Sequence, residues 1–107
     1  MSWKISYYEE ATKDIDELDG SQRKVVFKAI QKVAENPLSS QEGGYGKPLG
    51  KKGNRDLTGA YKIKLKSSGL RIVYELIRHE ETMEIVVVAV REDELVYDIA
   101  YKRIHTN

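Results

Sequence analysis

The sequence predicts an α+β domain in which an N-terminal strand and a helical hairpin pack on a mainly antiparallel sheet. Three observations predict it. Tyr61 to Tyr74, YKIKLKSSGLRIVY, alternates apolar with cationic residues on both sides of Ser67-Ser68-Gly69, the period-two mark of a β-hairpin with unlike faces. Two earlier stretches carry apolar residues at helical spacing. Met83 to Val90, MEIVVVAV, is apolar on both sides, which predicts a central strand covered on at least part of each face. At 107 residues a single domain, 1–107, is expected, large enough to bury about two-thirds of its unfolded surface.

In chain order, Trp3, Ile5 and Tyr7 alternate with Lys4 and Ser6 and predict a short strand. Ser6 and Glu9 have the spacing of a capping box, so a helix begins near Tyr8 with Ala11, Ile15 and Leu18 on its inner side. Asp19-Gly20 breaks it. Ser21 then caps a second helix whose stripe is Val26, Ala29, Ile30 and Val33, ended by Asn36-Pro37. Phe27 lies off that stripe, as a second-layer or partner contact. Residues 38–58 show no period and carry five glycines with Pro48, which predicts a long loop. A structureless stretch of about twenty residues in so small a domain marks a working or mobile segment. Its Gly50-Lys51-Lys52-Gly53 lacks the GxxxxGK[ST] spacing and no strand and helix flank it, which excludes a phosphate loop of that type.

In the hairpin, a two-residue turn at Ser68-Gly69 sets Leu65 opposite Ile72, Ile63 opposite Tyr74 and Tyr61 opposite Leu76. The same register sets Lys66 against Arg71, Lys64 against Val73 and Lys62 against Glu75, with four cations on one face; a three-residue bulged loop is the alternative. A tight connection follows between Ile77 and Thr82. Arg91-Glu92-Asp93-Glu94 leaves the sheet, and Leu95 to Ile104 forms a short helix or strand. The helices are expected on one sheet face.

A net charge of +1 conceals an uneven distribution. Residues 47–78 hold nine Lys/Arg against Asp56 and Glu75, while both flanks are net acidic. A basic block on an acidic chain is the footprint of a polyanion partner, or else a solvated charged face. Without cysteine there are no disulfides, thiolate metal sites or Cys nucleophile, which fits a reducing cytoplasm. No stretch has the length of a membrane span. His79 and His105 are too dispersed for a catalytic pair, and Glu92, Asp93 and Glu94 read as a solvated turn rather than a metal site.

The hairpin run Tyr61 to Tyr74, the strand ending in Val90-Arg91, and Val96-Tyr97 beyond it closely resemble the RelE toxins of bacterial toxin–antitoxin systems. The helical hairpin fits as well, so the resemblance spans almost the whole chain. It implies a RelE-like fold and a ribosome-dependent mRNA endonuclease, active in the A site of the 70S ribosome, that needs no metal or other cofactor. It also implies a cognate antitoxin, RelB-like or of another class, as partner. The catalytic positions carried over are Lys62, Lys64, Arg71, Arg91 and Tyr97, and Lys66 falls where members commonly carry another cation; with it, Lys47, Lys51, Lys52 and Arg55 of the basic block are the candidate RNA-binding cations.

Attack of a ribose 2′-OH on the adjacent phosphate needs a proton acceptor, stabilisation of charge on the phosphoryl oxygens and help for the departing 5′ oxygen. Arginine cannot be the base. Lysines two apart on a strand lie about 6.5 Å from each other and repel. That repulsion makes Lys64 the candidate base, Lys62 and Arg71 the phosphate ligands, Arg91 the group assisting departure and Tyr97 a residue that stacks on or orients a base. Two rival readings share the fold. One is a ParE-like toxin acting on DNA gyrase; the other is an inactive module that only binds RNA or an antitoxin.

Overall fold

The computed structural model describes residues 2–106. The chain runs β1 (Lys4–Tyr7), α1 (Glu9–Asp16), α2 (Gly20–Ala34), β2 (Lys47–Lys52), β3 (Arg55–Leu65), β4 (Leu70–Ile77), β5 (Thr82–Val90) and α3 (Asp93–Thr106), with short 3-10 turns at Ser40–Glu42 and Arg78–Glu80. The strands form one five-stranded sheet in the order β1-β5-β4-β3-β2. Only the β1–β5 pair is parallel.

Both helix starts differ from expectation. Tyr8, not Ser6, is the N-cap of α1 and makes no side-chain cap bond. Ser6 stays within β1, where its hydroxyl donates to Glu84 at 3.4 Å across the sheet. Asp19 rather than Ser21 caps α2. Its carboxylate accepts from the Gln22 backbone N–H at 2.8 Å, and the Gln22 side chain accepts from the Asp19 N–H at 3.0 Å. A carboxylate satisfies the orphan amide and also meets the positive end of the helix dipole. Ser21 supports that cap by donating to Asp19 at 2.8 Å.

The helices lie on both faces of the sheet, not on one. Ala11 and Ile15 of α1 and Val26, Ile30 and Val33 of α2 pack on one side against Tyr61, Ile63, Ile72, Tyr74, Met83 and Ile85. On the other side Val96, Tyr97 and Ala100 of α3 cover Leu57, Ala60, Val73, Val86 and Val87. The terminal segment is therefore a full helix. Its necessity lies in β5, whose two apolar sides must both leave water.

About half of the stretch expected as a loop over 38–58 is strand. β2 and the first part of β3 pair with each other as far out as Lys52 and Arg55. KPLGKK escapes a period-two search because β2 is an edge strand, where Pro48 needs no ladder N–H and glycine is tolerated. A register shift opposite Gly59, whose φ is +91°, reverses the alternation within β3. It turns Leu57 to the same side as Ala60.

Residues 37–46 are also ordered by contacts. Tyr74 Oη donates to the Pro37 carbonyl at 2.8 Å, and the Gly46 N–H donates to Leu38 at 2.9 Å. A Cβ at Gly46 would sit 2.5 Å from Tyr74 Oη and 2.8 Å from the Pro37 carbonyl. Gly46→Ala should therefore lower unfolding free energy by about 2 kcal/mol, read as a lower urea midpoint at unchanged m-value.

The hairpin register is displaced by two from expectation. Leu65 pairs with Leu70, Lys64 with Arg71, Ile63 with Ile72 and Lys62 with Val73, so Lys66 to Gly69 form a four-residue loop. The Leu65 carbonyl accepts from Ser68 N at 3.2 Å and Gly69 N at 2.9 Å, and Gly69 takes φ +71°. An even displacement preserves which residues share a face. Glu75 lies opposite Ala60, not Lys62, and accepts from Tyr8 Oη at 2.6 Å.

β1 accompanies β5 only as far as Ile85, and beyond it one side of β5 has no neighbouring strand. A bulge at Val86 adds to this, because Val73 pairs with Val87 and Tyr74 with Ile85. Asp14 of α1 and Arg103 of α3 meet there. Arg103 Nη1 donates to Asp14 Oδ2 at 2.7 Å and to the Val86 carbonyl at 3.0 Å, and Asp14 Oδ2 accepts from Val88 N at 3.0 Å. The two side chains are 18% and 19% exposed. Asp14→Ala leaves a half-buried guanidinium and an amide without their acceptor, and should cost about 2 kcal/mol in a denaturant titration. Faster exchange of the Val88 amide would identify the lost bond as the cause.

Candidate active site

Alternation along β3 puts Lys62 and Lys64 on the α3 side of the sheet, and the register adds Arg71 directly opposite Lys64 and Lys47 directly opposite Lys62. Side chains opposite each other project to the same face, so four cations from three strands converge. The N-terminal half of α3 borders them. Lys62 Nζ donates to Tyr97 Oη at 3.3 Å. The ammonium groups of Lys62 and Lys52 stand 6.0 and 5.8 Å from the centroid of the Tyr97 ring. Tyr97 is only 5% exposed. The ring expected to stack on or orient a base is thus largely enclosed, with its hydroxyl turned to Lys62.

Asp93, the first residue of α3, completes the cluster. Its Oδ1 accepts from Arg71 Nε, and its Oδ2 stands 3.6 Å from Lys64 Nζ. Arg71 Nη1 also donates to the Gly69 carbonyl at 2.8 Å, which holds the guanidinium against the hairpin loop. The Arg71 hydrogen bond, with the charges of Lys64, Arg71 and Lys62, holds the Asp93 carboxyl below the usual carboxylate range despite partial burial. The mutual repulsion of the two lysines is thus offset by a carboxylate beside one of them.

The remaining expected residues are dispersed. Arg91 follows β5, is exposed, and donates to its own neighbour Val90 at 3.1 Å. It borders a depression with Asp14, Glu17 and Gln22 and joins none of the ion pairs around Lys64 and Arg71 among the described residues. Arg55 pairs with Glu94 at 3.4 Å and Asp98 at 3.6 Å on α3. Lys51 lies opposite Asp56, and Lys66 is exposed in the hairpin loop. Arg78 is engaged by Glu42 at 2.9 Å. Much of the basic block is therefore answered in space by acids from α3 and from the 3-10 turn at Ser40–Glu42. Among the described residues no group of three His, Asp or Glu side chains has the geometry to hold a metal ion.

Asp93 is the site residue that sequence reasoning passed over, as one acid of a solvated turn. The signal was its place immediately after the strand that neighbours Arg71's own, since Ala89 pairs with Arg71.

No protein-family model matches the chain. The mRNA interferase toxin RelE of Escherichia coli K12 is 32% identical to it over 104 residues, covering 97% of this chain and 99% of that protein. A mutant of the E. coli toxin RelE in the free state matches with a TM-score of 0.76 at 31% identity, covering 97% and 99% of the two chains. A RelE mutant in complex with a peptide of the antitoxin RelB matches with a TM-score of 0.70 at 29% identity over 94% and 95%. Identity at this level over nearly the full length, on the same fold, places the chain in the RelE family of toxins.

Proposed function

We propose that this RelE-family toxin cleaves mRNA on the ribosome. The ribose 2′-OH attacks the adjacent phosphorus and the 5′ oxygen departs, which leaves a 2′,3′-cyclic phosphate and a 5′-hydroxyl. The observation that carries the reading is the convergence of Lys47, Lys62, Lys64 and Arg71 from three strands on one face beside Tyr97. Such a surface neutralises a phosphodiester and the extra charge of its pentacoordinate transition state. Lys64 and Arg71 are suited to the phosphoryl oxygens. Lys62, held by Tyr97 Oη, is suited to proton transfer at the sugar or the leaving oxygen. Arg91 acts only after a side-chain reorientation or against a different part of the RNA.

The ribosome supplies what a chain of net charge +1 lacks, a fixed mRNA in a preset conformation. A cognate antitoxin restrains the toxin, and the cytoplasm, where ribosomes translate, is its place of action. No helix among the described residues is long and apolar enough to cross a membrane. The pairing of Lys64 and Arg71 with Asp93 favours one other reading, an RNA- or antitoxin-binding module without catalysis. Mapping mRNA 5′ ends after brief induction separates the two. Cuts inside translated codons support the nuclease, and inhibition of growth without such cuts overturns it.

A further inference from the structure

Lys64 and Arg71 form one rung of the β3–β4 ladder, and the Asp93 carboxylate spans them with one oxygen toward each. The non-bridging oxygens of a phosphodiester present the same forked pair of acceptors to the same two donors. The neighbouring acids are placed differently: Glu94 is directed to Arg55, and Glu92 borders the depression beside Arg55 with Leu95 and Asp98. Asp93 alone of the acidic triplet points between the strand cations. Its side chain is 34% exposed, so it can swing out from the first turn of α3 without unpacking Val96 or Tyr97.

We propose that the Asp93 carboxylate occupies the seat of the RNA phosphate in the free protein, as an internal competitor that RNA must displace. The inference rests on the proposed RNA-cleaving site and adds its regulation. The side chain keeps the cation pair ordered and solvated anions out, and it sets a threshold: only a phosphate presented at high effective concentration, as on a fixed template, outcompetes a tethered anion.

The test is binding of a short RNA whose 2′ positions are deoxy, so that it cannot be cut, to the full chain in low salt. Asp93→Asn and Asp93→Ser both keep a polar residue at the helix start. Each should bind about five- to tenfold more tightly than the wild type, with a steeper dependence on salt. Adding Lys64→Ala to Asp93→Asn should erase the gain. Unchanged or weaker binding by the single variants, with normal thermal unfolding, overturns the proposal and makes Asp93 a positioning residue. On the wild-type protein, the Asp93 carboxyl carbon should titrate at higher pH when the oligonucleotide is bound; an unaltered titration also overturns it. Cleavage of ribosome-bound mRNA is scored separately. Tighter binding by Asp93→Asn in a chain that never cuts mRNA would leave the phosphate seat standing and remove the nuclease, whereas cutting without any gain in binding would do the reverse.

Discussion

Replacing Arg71 by Ala is expected to lower ribosome-dependent mRNA cleavage by about 10²- to 10³-fold while the protein remains folded. Arg71 donates to the Gly69 carbonyl at 2.8 Å, a contact that persists when a phosphate takes the place of Asp93, so its guanidinium stays held against the hairpin loop. Ordered donors stabilise developing charge without reorganising, which is why loss of one falls on kcat rather than on KM. The cost to stability should be small, about 1 kcal/mol, because the pair it breaks is only partly buried. Single-turnover cleavage in a purified translation reaction measures the first quantity and thermal unfolding the second. Lys24→Ala, an exposed cation on α2 across the sheet, serves as the control for general charge loss. Full cleavage by Arg71→Ala would remove this site from the chemistry.

The second large effect concerns Tyr74. It is fully buried, stacks on Tyr61 with ring centroids 5.3 Å apart, and donates to the Pro37 carbonyl at 2.8 Å. Burial pushes its phenol well above the ordinary range, so it stays a neutral donor across the working pH. Tyr74→Ala should cost about 3–5 kcal/mol, a large part of the ~5–15 kcal/mol that stabilises a domain of this size. Tyr74→Phe separates the two contributions. It keeps the ring and leaves the Pro37 carbonyl without its donor, so about 1–2 kcal/mol should be lost. Equal losses for the two variants would mean that the hydroxyl, not the ring, anchors the segment before β2.

The parts of the fold that followed a strict period were legible. Ile63, Ile72 and Tyr74 are buried on one face, as the alternation predicted, and Val26, Ile30 and Val33 form the inner side of α2. Elements whose order comes from tertiary partners were not. β2 contains a proline and a glycine and exists because β3 offers it a ladder. Likewise the hairpin loop could not be read to the residue, since Ser67-Ser68-Gly69 suits more than one length, and the apolar alternation on either side constrains the face but not the loop length. At the site, Lys62, Lys64 and Arg71 meet because strand alternation and pairing carry them there. Asp93 reaches them through the geometry of a chain reversal, for which the sequence has no period. Arg91, which the family resemblance placed in the cluster, sits beyond the end of β5, where no ladder fixes its side chain.

The Asp14–Arg103 pair also bears on how the protein behaves at high concentration. From Val86 onward β5 would offer a second molecule an apolar strand with unused backbone groups, the kind of template from which edge-to-edge aggregation begins. A guanidinium on the Val86 carbonyl and a carboxylate on the Val88 amide occupy two of those groups with charge that an incoming strand cannot easily displace. The same two side chains that join the first and last helices therefore act as a guard on the open side of the sheet, and their loss would show in turbidity as well as in unfolding.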